Sequence, residues 1–179
     1  RGTTFMEERH GSTYYDDPFY QPWYTQPAAH STILIDGNRQ SQRVGDLLWH
    51  MDGFDDYAFI DQFLDGKRAA FVCGDIGRLY WGKMRSLKRN VLYLKPRTLL
   101  MLDTAVPSEN DADVTLLYQT RRLGDIKAGR AVSTIAKDGA TLFIQHLSPG
   151  METKAVETPH YLYTLRERTA QEKEGMLTV

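Results

Sequence analysis

From residue 32 onward, the apolar positions of the chain fall in short runs that are separated by turn-forming residues at fairly regular spacing. This texture is typical of a β-sandwich or a β-barrel, because strands are short and each needs a turn before the next. The predicted strands are, in chain order, 32–35, 47–51, 57–63, 90–94, 98–103, 114–119, 131–135, 141–145, 153–156, 160–165 and, as the start of a last strand, 177–179. The pattern therefore predicts an all-β fold, an antiparallel β-sandwich.

Two stretches of this pattern predict more specific local structure. The run 90–94 stops at Lys95-Pro96-Arg97 and the run 98–103 begins at once, which predicts a tight hairpin with its turn at the proline. Residues 98–103 are apolar on both faces, and this favours a central strand that is covered on both sides. The most helix-like stretch is 61–73, but Gly66 interrupts it, so that we expect a short helix or a loop there.

The first 31 residues lack both a helical period and a strand pattern, yet they are rich in aromatic side chains. A disordered tail is poor in such residues, so we expect 1–31 to be an ordered loop segment packed on the domain. Residues 32–179 are then the antiparallel sandwich, and the chain is one domain overall. Because the chain begins with Arg1 rather than Met, we expect it to be a fragment of a longer protein.

Composition and charge narrow the possible partners only slightly. The chain has 179 residues, 22 Lys and Arg against 23 Asp and Glu, and a formal net charge of −1, so nothing in it calls for nucleic acid or an anionic membrane surface. A local basic stripe that binds a polyanion stays open. The one cysteine, Cys73, excludes an internal disulfide framework, and its apolar neighbours favour an inert core residue.

Several motifs follow one another in a recognisable order. Segment 29–40 reads AHSTILIDGNRQ and is preceded by two aromatic clusters, 14–20 and 23–26, whereas the basic and apolar run 88–96 is followed by LMLD at 100–103. In this order the segments resemble the C-terminal β-sandwich of heparinase II/III-type polysaccharide lyases. Segment 29–40 is similar to the family's His-Asn-Thr-apolar-x-apolar-Asp-Gly-x-x-Gln signature. Segments 88–96 and 100–103 resemble the family's hairpin that closes on a buried Asp.

The resemblance implies a specific architecture and activity for the parent protein. Such lyases, often bacterial and periplasmic or secreted, couple an N-terminal α/α toroid to a sandwich of the supersandwich type, and an anionic polysaccharide lies between the two. They cleave uronic-acid polysaccharide by β-elimination: a base removes the proton α to the carboxylate, and an acid protonates the leaving glycosidic oxygen. Because the family's key tyrosine belongs to the toroid, the resemblance implies that this chain alone is not catalytic.

The resemblance also implies a zinc ligand. Some family members hold zinc in the sandwich through a His-rich strand, an Asp and the signature histidine, which corresponds to His30. The family's next residue, Asn, is Ser31 here, and Arg9-His10-Gly11 stands where the family has Asp-Ser-Gly, which puts the other ligands in doubt. The alternative is that His30 is a hydrogen-bonded loop histidine beside the strand.

The candidate substrate-binding residues lie on either side of His30. They are Tyr20, Trp23, Tyr24, Arg39 and Gln40. Rings stack on sugar faces, but they also supply packing area, so an interface with the toroid is the alternative for the aromatic residues.

Other polar residues are interpreted structurally. The basic group at 83–89 is read as solvated surface, Asp103 as a buried turn-former, and His146 as a structural histidine. His50 and Asp52 would share a face of a strand, which allows a hydrogen-bonded pair. Two functional alternatives stay open beside the lyase domain: a free-standing carbohydrate-binding sandwich and a purely structural module.

Overall fold

The computed structural model describes residues 3–6, 20, 23, 26–37, 58–80, 82–109, 112–120, 122–158 and 175–179. Within these ranges the regular structure consists of strands and three short 3₁₀ turns, with no α-helix. The strands are β1 Ile33–Ile35, β2 Phe59–Asp65, β3 Ala69–Asp75, β4 Met84–Leu94, β5 Thr98–Pro107, β6 Val114–Thr120, β7 Ile126–Lys127, β8 Val132–Lys137, β9 Ala140–Gln145, β10 Lys154–Glu157 and β11 Gly175–Thr178. In the same ranges, no helix has the length and apolar character that a bilayer span requires.

The chain divides into two compact units. One comprises Arg1–Gly37 together with Val114–Val179, and the other comprises Asn38–Asp113. The first, called here the split unit, contains a four-stranded sheet of order β1-β6-β11-β10 and a three-stranded sheet of order β7-β8-β9. The second, called here the inserted unit, contains one four-stranded sheet of order β2-β3-β4-β5. Every pairing of neighbouring strands is antiparallel.

The four-stranded sheet of the split unit is built around β6. β1 pairs with one edge of β6, with Ile33 opposite Leu116, and β11 pairs with the other, with Leu177 opposite Tyr118. The last four residues of β6 are all buried. Because successive side chains of a strand point to opposite faces, this half of β6 is covered on both sides, as a central strand should be.

The two sheets of the split unit share an apolar core. Tyr118 and Leu177 come from the four-stranded sheet, Ile126 comes from β7, and Val179 completes the cluster after β11. In β9 the burial alternates residue by residue, so one face of the three-stranded sheet packs inward and the other meets solvent. The two antiparallel sheets therefore pack face to face within this unit, which is the arrangement of a β-sandwich.

The inserted unit is a meander whose strands follow one another in sequence. Among its described residues, the buried side chains Tyr80, Met84 and Leu87 lie where β4 begins and the 3₁₀ turn Gly77–Tyr80 precedes it, and Cys73 of β3 is a buried free thiol. The longest hairpin joins β4 to β5, with Leu94 opposite Thr98 and Arg89 opposite Asp103. This confirms the predicted hairpin at Lys95-Pro96-Arg97.

The all-β, antiparallel prediction is confirmed, whereas two local predictions are wrong. Residues 61–73 form neither a helix nor a single loop; they are parts of β2 and β3, and the chain reverses between them at Gly66. Residues 98–103 are not covered on both sides, because Leu99, Leu100, Met101 and Leu102 are exposed, and β5 is an edge strand among the described strands of its sheet. The predicted strands 47–51 and 160–165 lie outside the described residues, as do His50 and Asp52.

Candidate functional site

The structure describes three of the six residues predicted for the site. Tyr20, Trp23 and His30 are described, and each is half-buried in the split unit. Tyr24, Arg39 and Gln40 lie outside the described residues, so their predicted role in substrate binding stays a prediction.

His30 lies at the entrance to β1, as the sequence predicts. The short 3₁₀ turn Pro27–Ala29 precedes it, and the His30 backbone N–H donates to the Pro27 carbonyl at 3.0 Å. The His30 backbone is extended, with φ −120° and ψ 160°, and the strand begins three residues later at Ile33. His30 therefore lies in the short connection between the 3₁₀ turn and β1.

One buried side chain fixes this junction to β6. The Gln119 side chain, which is 4% exposed, donates from Nε2 to the Ala28 carbonyl at 3.0 Å, and its backbone N–H donates to Ser31 Oγ at 3.0 Å. The same Nε2 lies 2.9 Å from Met176 Sδ. These contacts fall on both sides of His30 in sequence, so Gln119 holds the segment that carries the histidine. Ser31 takes part in this clamp through its hydroxyl.

The residue after Gln119 presents a buried hydroxyl that has no hydrogen-bond partner. Thr120 is 1% exposed, and its Oγ1 makes no hydrogen bond. It shares a face of β6 with Tyr118, and its partner across the sheet is Gly175. A buried hydroxyl without a partner costs free energy relative to a methyl group of the same shape.

The zinc predicted at His30 needs further ligands. Within the described ranges, no three side chains of His, Cys, Asp or Glu converge as metal ligands would. The residues present there do not compose a zinc site of the expected kind, which takes four ligands. No catalytic step is therefore routed through a metal, and the zinc at His30 stays a prediction.

The two described aromatic residues of the site are partly packed. Trp23 is half-buried, and its carbonyl accepts the Gln26 N–H at 2.8 Å, which closes a turn just before the 3₁₀ turn at Pro27. Tyr20 is also half-buried. Both substrate stacking and an interface are compatible with side chains that are partly covered.

The basic residues of β4 belong to ion pairs and hydrogen bonds within the inserted unit. Lys88 Nζ lies 2.6 Å from Asp61 Oδ2 and 3.8 Å from Asp75 Oδ2, and the hydrogen bond and charge of Asp61 raise the pKa of Lys88 above its usual value. Arg85 Nε donates to the Pro107 carbonyl. These cations are engaged across the sheet, so they do not form a stripe reserved for a polyanion.

Asp103 is not a turn residue, which corrects the prediction made from sequence. It lies in the middle of β5 and forms a two-pronged ion pair with Arg89, with Nε to Oδ1 and Nη2 to Oδ2 both 2.8 Å long. Planar guanidinium and carboxylate groups match in this geometry. Asp103 therefore does not form a turn. Its carboxylate pairs with Arg89, which the register of the β4–β5 hairpin places opposite it.

A buried serine and a half-buried histidine form a pair at the end of the three-stranded sheet. Ser133, which is fully buried, has its Oγ 2.9 Å from His146 Nε2, and the same Oγ accepts the Gly129 N–H at 3.2 Å. Burial lowers the pKa of His146 below its usual value. Because the hydroxyl is inaccessible, this pair is a structural latch rather than a nucleophile and its base.

Sequence reasoning missed a polar cleft in the split unit. The cleft has a volume of about 390 Å³ and lies beside the β8–β9 turn, where Asp138 and Gly139 both have positive φ. Its charged lining residues are Arg122, Asp125, Lys137 and Asp138. Arg122 and Asp125 come from one stretch of the chain and Lys137 and Asp138 from another, and no spacing in the sequence predicts that the two pairs meet. Guanidinium, ammonium and carboxylate groups side by side can bind both the carboxylate and the hydroxyls of an acidic sugar.

The fold and these sites define an all-β protein with face-to-face antiparallel sheets, a clamped histidine junction and a small polar cleft. No protein-family model matches the chain, and no curated protein is similar to it at a significant level.

Proposed function

We propose that this chain is the β-sandwich part of a heparinase II/III-like polysaccharide lyase whose full-length form cleaves uronic-acid polysaccharide by β-elimination. In this proposal the chain binds one side of the anionic polysaccharide, and the residues that remove and donate protons belong to an N-terminal α/α toroid. The chain alone carries no lyase activity. A periplasmic or extracellular location belongs to the same proposal.

The observation that carries the proposal is the junction at His30. The segment that resembles the family signature runs from a 3₁₀ turn into β1, and Gln119 fixes it on both sides of the histidine. These hydrogen bonds fix the chain at Ala28 and Ser31, on either side of His30, so this segment loses little backbone freedom when a ligand binds, which favours a binding role. The paired Arg89 and Asp103 add support, because the resemblance implies a hairpin that closes on an Asp.

The chemistry of a uronate polysaccharide also suits the polar cleft. Each uronate carries a carboxylate, and β-elimination requires that its charge be neutralised before the α proton can leave. Arg122 and Lys137 line the cleft, and their side chains are of the kind that binds carboxylates. Lys137 Nζ also donates to the Thr4 carbonyl at 2.8 Å, which uses one of its three hydrogens. Asp125 and Asp138 can accept hydrogen bonds from sugar hydroxyls. In the proposal the cleft positions an acidic sugar and leaves the elimination itself to the toroid.

The elimination assay tests the proposal. The parent polypeptide and the 179-residue chain are each incubated with a panel of uronate polysaccharides, and the ultraviolet absorbance of the unsaturated product is followed. We expect product from the parent and none from the chain alone. Product from the chain alone would contradict the assignment of the acid and base to another domain, and a parent without any product would refute the lyase.

A carbohydrate-binding sandwich without catalysis is the second candidate, and the half-buried Trp23 is the observation that favours it. Affinity of the chain for polyuronate against neutral dextran, measured for wild type and Trp23→Ala, separates the two. Tight binding that depends on Trp23, together with an inactive parent, would favour the binding module.

A further inference from the structure

Strand β5 exposes apolar side chains on both of its faces. Leu99 and Met101, which share one face, are 56% and 41% exposed, and Leu100 and Leu102, on the other face, are 44% and 65% exposed. Among the described strands, β5 pairs only with β4, so no described strand lies beside its outer edge. An open edge with apolar residues on both faces is a template for another strand.

The opposite edge of the same sheet is protected against such pairing. β2 has a register shift between Ile60 and Gln62, and it carries two acidic residues, Asp61 and Asp65. Bulges and charged residues are the usual means by which edge strands avoid adding a further strand. β5 has neither along Thr98–Leu102, which pairs with β4 in continuous register. Only its far end is blocked, by Pro107.

A partner that covered one face of the sheet would leave half of the exposed β5 side chains in water. A strand that pairs with the edge of β5 contacts the exposed side chains of both faces, because its own side chains also alternate between the two faces. The exposure on two faces thus favours addition at the edge over docking on a face. The near-neutral charge of the chain, −1, sets up no strong repulsion between two copies.

We propose that β5 pairs with the β5 strand of a second copy of this chain, antiparallel about a two-fold axis at Leu100. This arrangement places Leu99 opposite the partner's Met101 and Thr98 opposite the partner's Leu102. The two sheets then join into one continuous sheet of eight strands.

Charge selects this register among its neighbours. With the axis at Leu100, Arg97 lies opposite the partner's Asp103, so opposite charges meet at both ends of the pairing. An axis at Met101 would put Asp103 opposite the partner's Leu99, and an axis at Leu102 would put it opposite the partner's Met101. An axis at Leu99 would put Asp103 opposite the partner's Lys95, but the ammonium group of Lys95 already binds Asp65 and the Gly66 carbonyl. Asp103 already binds Arg89 in two prongs, but a carboxylate has capacity for further hydrogen bonds, so Arg97 adds to the pair without breaking it.

Molecular mass in solution tests the pairing. Sedimentation velocity of the 179-residue chain over a dilution series should show a species of twice 20.5 kDa. Leu100→Lys places two ammonium groups at the axis, so we expect it to shift the chain to the monomer. The matched control is Leu64→Lys, which puts the same charge on the same face of β2, is 67% exposed, and should leave the dimer intact.

A crosslink tests the register without relying on a charge. In a Cys73→Ser background, Leu100→Cys should oxidise to a covalent dimer, because residues on a two-fold axis between antiparallel strands lie close enough for a disulfide. Leu64→Cys should not. A wild-type chain that stays monomeric at every concentration overturns the proposal, as does equal loss of the dimer in both lysine variants or equal crosslinking of both cysteine variants. None of these outcomes bears on lyase activity, so the pairing stands or falls independently of the proposed function.

Discussion

At the scale of single residues, two neighbours in β6 show how differently buried polar groups act. Gln119 and Thr120 are both almost fully buried, yet the amide of Gln119 has partners and the hydroxyl of Thr120 has none. Burial of a polar group is tolerated when a hydrogen bond replaces water and is costly otherwise. Replacing the polar side chain by an apolar one should therefore lower the free energy of unfolding at Gln119 and raise it at Thr120.

Gln119→Ala should lower the free energy of unfolding by about 2–4 kcal/mol, because it leaves a cavity and removes the donor to the Ala28 carbonyl. Urea denaturation of the purified variant measures the change. The matched control is Gln145→Ala on the exposed side of β9, which should change stability by less than about 0.5 kcal/mol. Equal losses at the two sites would show that Gln119 does not clamp the His30 junction.

Thr120→Val should raise the free energy of unfolding by about 1 kcal/mol, since a methyl group replaces a hydroxyl that has no partner. The control is Thr178→Val, because Thr178 Oγ1 donates to the Lys154 carbonyl at 3.4 Å and its loss should not stabilise. Thermal unfolding of both variants gives the comparison. A destabilised Thr120→Val would mean that the hydroxyl has a partner in solution.

The His146 and Ser133 latch should make stability depend on pH. Burial lowers the pKa of His146 in the folded state, so the unfolded chain binds the proton more readily as the pH falls through the usual histidine range. The contribution is complete above the unfolded pKa and is lost as the pH falls towards the folded one. Between about pH 7.5 and pH 5.5 the wild type should lose more unfolding free energy than His146→Gln, measured by urea denaturation. Parallel losses in the two proteins would contradict the latch.

At the scale of elements, the turn before β8 depends on a glycine at close approach. A Cβ on Gly129 would overlap with the Val132 carbonyl oxygen, and in the same turn the Gly129 N–H donates to Ser133 Oγ. Backbone atoms cannot give way as a flexible side chain can, so a larger residue must open the turn.

Gly129→Ala should therefore destabilise the chain by about 1–3 kcal/mol. Gly124→Ala is the matched control, because a Cβ there meets nothing within 4 Å, and it should be neutral within about 0.5 kcal/mol. Chemical denaturation of the two variants measures their free energies of unfolding. A Gly129→Ala variant as stable as the wild type would show that the turn relaxes without cost.

The elements also show how far the sequence determines the fold. Apolar runs bounded by turn residues predicted β6 and β9 to within one residue, because the run and its turns are local features of the sequence. The same signal predicted the start of β5 but ended it four residues early. The hairpin in 59–75 was missed because the apolar spacing of 61–73 also suits a helix, and only pairing with β4 decides in favour of strands. The edge position of β5 could not be predicted, since a doubly apolar strand has the same pattern whether another strand covers it or not.

The site shows the same division between local and long-range information. The position of His30 at the mouth of β1 follows from a turn and a strand that adjoin in sequence. The Gln119 clamp and the lining of the polar cleft could not be predicted, because both join residues far apart in the chain. The pair of Arg89 and Asp103 lies between these cases: the hairpin was predictable, but the register that sets the two residues opposite each other was not.

At the scale of the whole molecule, the two units differ in the features that they carry. The split unit has the sandwich core, the His30 junction and the polar cleft, which are the features that the proposed function uses. The inserted unit has its basic residues engaged in internal pairs and leaves β5 for a second copy. The proposed binding features and the proposed pairing strand β5 belong to different units, so a substitution can change one without the other. Each proposal therefore has its own test.

The rate of unsaturated uronate formation by the parent polypeptide tests the central claim most directly. We expect His30→Ala to lower kcat/KM by about tenfold or more, because the proposed function puts this histidine on the substrate-binding side. His146→Ala, which alters a histidine of the same unit in the structural latch, should leave kcat/KM within about twofold of the wild type. A parent that forms no unsaturated product from any uronate polysaccharide, or one whose rate is insensitive to His30→Ala, would contradict the account.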